Sequence, residues 1–113
     1  MAKRIYVVED DEGWVYGVVA ESPGKAKSII SEEFEIPYTL LTCRVRRDLD
    51  EYAKEMPIGY IEDKIWCLEH DICLWCEEET CPNCGKDGVD IFKDVDGKIR
   101  CELCGINPPW VRL

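Results

Sequence analysis

No stretch of this 113-residue chain runs more than nine residues without a charge, the longest being Leu103 to Val111. A membrane-spanning helix needs about 20 consecutive apolar residues, so none is expected and no membrane partner is implied. Basic residues are scarce as well: 14 Lys and Arg stand against 24 Asp and Glu, a net charge of -10. Gripping a nucleic-acid backbone depends on basic surface, so direct binding of duplex DNA is not expected. The deficit is uniform. Residues 1–66 hold 9 bases and 14 acids and residues 67–113 hold 5 and 10, so each part carries -5 and neither is a basic arm or an acidic tail. There is no low-complexity segment. The opening Met1-Ala2-Lys3-Arg4 is basic, but the apolar run Ile5 to Val8 stops at Glu9. That is too short for the core of an export signal, and the expected location is the cytoplasm.

Histidine is nearly absent too, with one residue, whereas there are eight cysteines. In a reducing compartment such cysteines are metal ligands more often than disulfides. They are unevenly placed: Cys43 stands alone and the other seven fall between Cys67 and Cys104. The chain therefore divides into a cysteine-poor region, 1–60, and a cysteine-rich region, 61–113.

In the first region, Lys3 to Val8 and Trp14 to Ala20 read as two strands joined by a polar turn ending in Gly13. Ser22-Pro23 announces a helix, because Ser caps free N–H groups and Pro fits the first helical position. Ala26, Ile29, Ile30 and Phe34 follow at helical spacing until Pro37. Thr39 to Arg47 reads as a third strand, with Leu41, Cys43 and Val45 on one face and Arg44 and Arg46 on the other. Cys43 is expected to be a buried thiol. Asp48 to Met56 reads as a short helix ended by Pro57. The result is a β-β-α-β module in an α+β protein.

The second region carries the chemistry. Cys81-Pro82-Asn83-Cys84-Gly85 is matched by Cys101-Glu102-Leu103-Cys104-Gly105. C-x-x-C turns tightly enough to put two sulfurs on one ion, and tetrahedral zinc needs four such donors. Between the pairs lie Val89 to Lys93, the turn Asp94-Val95-Asp96-Gly97, and Lys98 to Arg100: strand, turn, strand. Residues 81–105 thus resemble the zinc-ribbon family, two knuckles joined by a hairpin. The resemblance implies a structural zinc held by the thiolates of Cys81, Cys84, Cys101 and Cys104.

Cys67, His70, Cys73 and Cys76 add a C-x-x-H-x-x-C-x-x-C run, bringing the total to seven Cys and one His, the eight ligands that two zinc ions require. The competing reading is an amphipathic helix through Ile61, Ile65, Leu68, Ile72 and Trp75. An unbroken helix would spread the four ligands over half its circumference, so they close on one ion only if it breaks near His70. Two pairings stay open: residues 67–76 forming one site alone, or C-x-x-C pairs exchanged between sites. Closely spaced cysteines also serve iron–sulfur clusters. Filling both zinc sites would take the formal charge to about -13, so metal does not make the protein basic.

A possible active site is confined to one stretch. Val18-Val19-Ala20-Glu21-Ser22-Pro23-Gly24-Lys25-Ala26-Lys27-Ser28-Ile29 resembles the opening of the Toprim domain of type I topoisomerases, where a strand ends in Glu-Ser-Pro and a helix opens with Lys-Ala-Lys. That resemblance implies Glu21 as an acidic catalytic residue beside magnesium. The family's later Asp-x-Asp pair has one counterpart nearby, Asp48-Leu49-Asp50, only 27 positions after Glu21, and the family's tyrosine domain has none. No other catalytic set is evident. The first 47 residues are also similar to uncharacterised small phage-encoded proteins, in which case the cytoplasm would be that of the host.

The sequence therefore reads as a zinc-binding interaction or adaptor protein, with a β-β-α-β module followed by a C-terminal zinc ribbon. It would act by protein–protein contact, either docking on a basic surface of nucleic-acid machinery or using its acidity only for solubility. The alternative is a reduced Toprim-like magnesium-dependent nucleic-acid enzyme using Glu21.

Overall fold

A computed structural model describes residues 2–110. Residues 1 and 111–113, the outer ends of the two expected regions, lie outside the described residues. The protein combines helices with antiparallel sheets, an α+β architecture, in two compact units, Met1–Glu62 and Asp63–Leu113. No helix of the described residues is long and apolar enough to cross a membrane.

In the first unit, β1 (Arg4–Glu9) and β2 (Val15–Ala20) pair from Arg4 opposite Ala20 to Glu9 opposite Val15. Asp10 shapes the turn between them. Its Oδ1 accepts from the Glu12 and Trp14 N–H groups at 2.9 Å, and its Oδ2 from the Tyr16 hydroxyl at 3.2 Å. Burial, then the adjacent Asp10 carboxylate, pushes the Tyr16 phenol up to about 12. Helix α1 (Pro23–Phe34) starts as its sequence dictates: Ser22 Oγ accepts from Lys25 N at 3.2 Å and Pro23 takes the first position.

The third strand, β3 (Thr42–Val45), pairs with β1 and is shorter than expected, because Tyr38–Leu40 wind into a 3-10 turn. A 3-10 turn at Arg47–Leu49 leads into α2 (Asp50–Ala53), and β4 (Gly59–Tyr60) completes a sheet of order β3-β1-β2-β4. Tyr6, Val8, Val18 and Ala20 pack with Ala26, Ile30 and Leu41. Ile5, Val7 and Val19, pointing to the opposite face, are buried too, and α2 lies against β1. Cover on both faces explains why these strands read as continuous apolar runs rather than alternating ones. Cys43 is half-buried, not buried as expected, because β3 is an edge strand.

In the second unit, Asp63 caps α3 (Lys64–Glu69) by accepting from Trp66 N at 3.1 Å. The chain then reverses at Asp71, whose φ is 58°, with Ile72 N bonded back to Cys67 O and Asp71 N to Leu68 O. This left-handed C-terminal stop ends the helix long before Trp75, so the apolar stripe does not form one helix. Instead β5 (Trp75–Glu79) pairs with β6 (Val89–Lys93), which pairs with β7 (Ile99–Cys101). One face of this sheet carries Cys76, Val89, Ile91, Ile99 and Cys101 into a core with Leu68 and Cys81. On the other, the fully buried Phe92 meets Trp110 edge-on at 5.4 Å, and Trp75 lies 6.1 Å from Trp110.

Candidate metal centre

Each C-x-x-C-G segment folds into a knuckle whose backbone bonds point at its own first cysteine. Cys81 O accepts from Gly85 N at 2.8 Å, and Cys81 N donates to Lys86 O at 2.9 Å. Gly85 has φ +77°, which a residue with a Cβ adopts only under strain. In the second knuckle Cys101 O accepts from Cys104 N at 3.2 Å and from Gly105 N at 2.8 Å. Here the glycine is needed for space: a methyl group on Gly105 would overlap the Phe92 ring and approach Cys101 O to 2.9 Å.

The hairpin between the knuckles sets their separation. Its turn is held by Asp94, whose carboxylate accepts from the N–H groups of Val95 (2.8 Å), Ile106 (2.6 Å) and Asn107 (3.0 Å) and from Arg100 (3.2 Å). Burial alone would raise its pKa, but these donors bring it down to about 2. Arg100 also holds Asp96 at 2.7 Å. Asp94 thereby ties the segment after the second knuckle to the hairpin tip, a function its position in an Asp-x-Asp-Gly turn does not announce.

The two knuckles bring four sulfurs together, all within 4.8 Å of one another. Cys81 to Cys104 is 3.7 Å, Cys84 to Cys101 is 3.5 Å and Cys101 to Cys104 is 3.5 Å. A tetrahedron with zinc–sulfur arms of about 2.3 Å has edges of about 3.8 Å, whereas a disulfide is about 2.05 Å. The spacing therefore fits four thiolates around one ion and excludes disulfides. Cys81 and Cys101 are buried, Cys104 is half-buried and Cys84 is exposed, so the site joins the core on one side and reaches solvent on the other. Burial pushes the Cys101 thiol up to about 11. Burial acts likewise on Cys104, but Cys101 N and Asn83 Nδ2, each 3.5 Å from its sulfur, help bring it down to about 6. With four protein donors there is no open position, which suits a structural ion.

Cys67 and Cys76 are buried and Cys73 half-buried, with Cys73 and Cys76 sulfurs 3.4 Å apart. Burial pushes the Cys67 thiol up to about 12. The Cys76 thiol stabilises a Cys73 thiolate and lowers its pKa, and Cys76 itself is raised by the same bond. The His70 ring lies 4.2 Å from that of Trp66. Among the described residues, the Cys81 set is the one group of three or more such side chains gathered within 4.8 Å, so these four are not brought together in that way. The structure joins the two C-x-x-C-G pairs with each other.

Glu21 sits at the end of β2 with Lys25 Nζ at 3.4 Å, and Asp48 accepts from Arg46 through both oxygens at 2.9 Å. Glu21, Asp48 and Asp50 do not form a metal-binding group among the described residues. No family model, no curated protein and no solved structure matches this chain.

Proposed function

We propose that the protein is a zinc-dependent interaction module in which residues 81–105 form a zinc ribbon and the ion is structural. The observation that carries this reading is the gathering of four cysteine sulfurs at the edge lengths of a zinc tetrahedron. We place the protein in the cytoplasm, where its thiols stay reduced, and read it as holding two ions in all, the second at residues 67–76. It acts by protein–protein contact. Support comes from apolar side chains left exposed around the second knuckle, Leu103 at 69% and Ile106 at 66%, on a chain of net charge -10. A rigid zinc-held loop presenting apolar side chains within an acidic surface suits a partner with a basic rim, as proteins of the nucleic-acid machinery have.

Duplex DNA is the competing partner, and the net charge of -10 weighs against it. Of the densest cluster of bases, Arg46 is already paired with Asp48, and backbone binding needs several cations against phosphates. A titration with random-sequence duplex at about 0.15 M salt, where screening acts within about 8 Å, should show no binding at micromolar protein. Micromolar binding abolished by Arg44→Glu with Arg46→Glu would make nucleic acid the partner and overturn the protein-contact reading.

A further inference from the structure

Three aromatic rings meet at one end of the first unit. Tyr16 of β2 lies 4.6 Å from Phe34 of α1, Phe34 lies 5.0 Å from Tyr60 of β4, and Tyr16 lies 6.3 Å from Tyr60. The cluster is not closed over. Phe34 is 38% exposed, and Trp14, two positions before Tyr16, is 45% exposed. Aromatic rings left at a surface are what interface cores are built from.

Two of the segments that supply these rings are acidic. Asp10, which accepts from the Tyr16 hydroxyl at 3.2 Å, opens the run Asp10-Asp11-Glu12 in the turn before Trp14. Phe34 itself sits in the run Glu32-Glu33-Phe34-Glu35. Neither residues 5–24 nor residues 28–43 include a Lys or an Arg. Helix α1 moreover wears its charges against its own dipole. Lys25 and Lys27 stand toward its N-terminal end, while its last turn has Glu32 and Glu33 and no base. The C-terminal end of a helix favours cations. A local choice that opposes the fold in this way is expected where function demands it.

The missing element is positive charge, and the exposed rings select its kind. A guanidinium is planar, stacks on aromatic faces and meets a carboxylate through two N–H groups, whereas an ammonium is a compact, strongly hydrated point charge. We propose that the face formed by Trp14, Tyr16 and Phe34, with the carboxylates beside it, docks an arginine-rich segment of a partner protein. This deepens the protein-contact reading and rests on it for the partner being a basic protein. The face lies on the unit that holds no ligand of the four-cysteine centre, so it does not depend on the ribbon.

Fluorescence anisotropy of a labelled peptide of about twelve alternating arginines and glycines, titrated with the zinc-loaded full chain at about 0.15 M salt, gives the test. Saturable binding near about 10 μM is expected, with the matching lysine–glycine peptide weaker by at least about threefold. Glu32→Lys with Glu33→Lys should weaken the arginine peptide by at least about tenfold and yet raise the thermal midpoint, because it corrects the dipole conflict. The same charge change in and after α2, Glu51→Lys with Glu55→Lys, should cost no more than about twofold, since exposed charges away from the site are screened. Phe34→Leu, which keeps an apolar side chain and removes the ring, should abolish the preference for arginine. No saturable binding, or equal losses in the two double variants, would overturn the docking face. Equal affinity for the two peptides would overturn stacking on the rings, and with it arginine as the recognised group. Loss in Leu103→Asp but not in Glu32→Lys with Glu33→Lys would place the basic partner at the second knuckle, overturning this face while leaving the protein-contact reading intact.

Discussion

Replacing Cys101 with serine should unfold the second unit and leave the first one folded. Three of the seven buried residues in the second unit's core cluster are cysteines, Cys76, Cys81 and Cys101, beside only Leu68, Val89, Ile91 and Ile99. A core in a domain below about 70 residues rarely supplies more than about 5 kcal/mol. A four-thiolate zinc contributes about 10–16 kcal/mol at neutral pH. The metal term is the larger, so the unit should not survive its loss. The first unit's cluster of Tyr6, Val8, Val18, Ala20, Ala26, Ile30 and Leu41 contains no ligand. In an amide NMR spectrum of Cys101→Ser, peaks from residues 63–110 should collapse to random-coil positions while those from 2–62 stay dispersed. Strong chelation of the wild type should give the same pattern. Retained dispersion across the β5-β6-β7 sheet would show that the core holds without metal.

Gly105→Ala should be nearly as damaging although it removes nothing. The added methyl meets the Phe92 ring and Cys101 O. Phe92 is fully buried, with Trp110 against it, and Cys101 O is held by the Gly105 and Cys104 N–H groups that define the knuckle. Neither neighbour yields without disturbing the packed face or the metal ligands. Overpacking of this kind costs about 3 kcal/mol, equivalent to about a 100-fold loss in zinc affinity if it is felt in the bound state. Competition with a chromophoric chelator would measure that loss. An affinity equal to wild type would mean that the second knuckle is looser than its geometry implies. The matching change at Gly85 tests a different cause, since open space surrounds that Cβ position and only φ +77° opposes it.

What was legible in the sequence was what depends on neighbours in the chain. Ser22-Pro23 marked a helix start because capping is local, and Ser22 does cap Lys25 N. The two C-x-x-C-G segments marked a metal-binding group because each knuckle closes within five residues. The illegible parts depend on partners far along the chain. Asp94 reads as an ordinary turn residue because the Ile106 and Asn107 N–H groups that it accepts from lie 12 and 13 residues away. β5 carries three glutamates and has little strand character of its own. It forms because Cys76 and Trp75 find Ile91 and Phe92 across the ladder, with a bulge between Cys76 and Glu79 that places Glu78 at φ 52°. The break at Asp71 was hidden by a continuous apolar stripe. Its stabilising partner, Lys93, comes from another strand.

The central claim is that Cys81, Cys84, Cys101 and Cys104 hold a zinc ion, and native mass spectrometry of the intact chain tests it most directly. The wild type should carry bound zinc, and Cys104→Ser should carry fewer ions than the wild type. A wild-type chain with no zinc, or an ion count unchanged by Cys104→Ser, would contradict it.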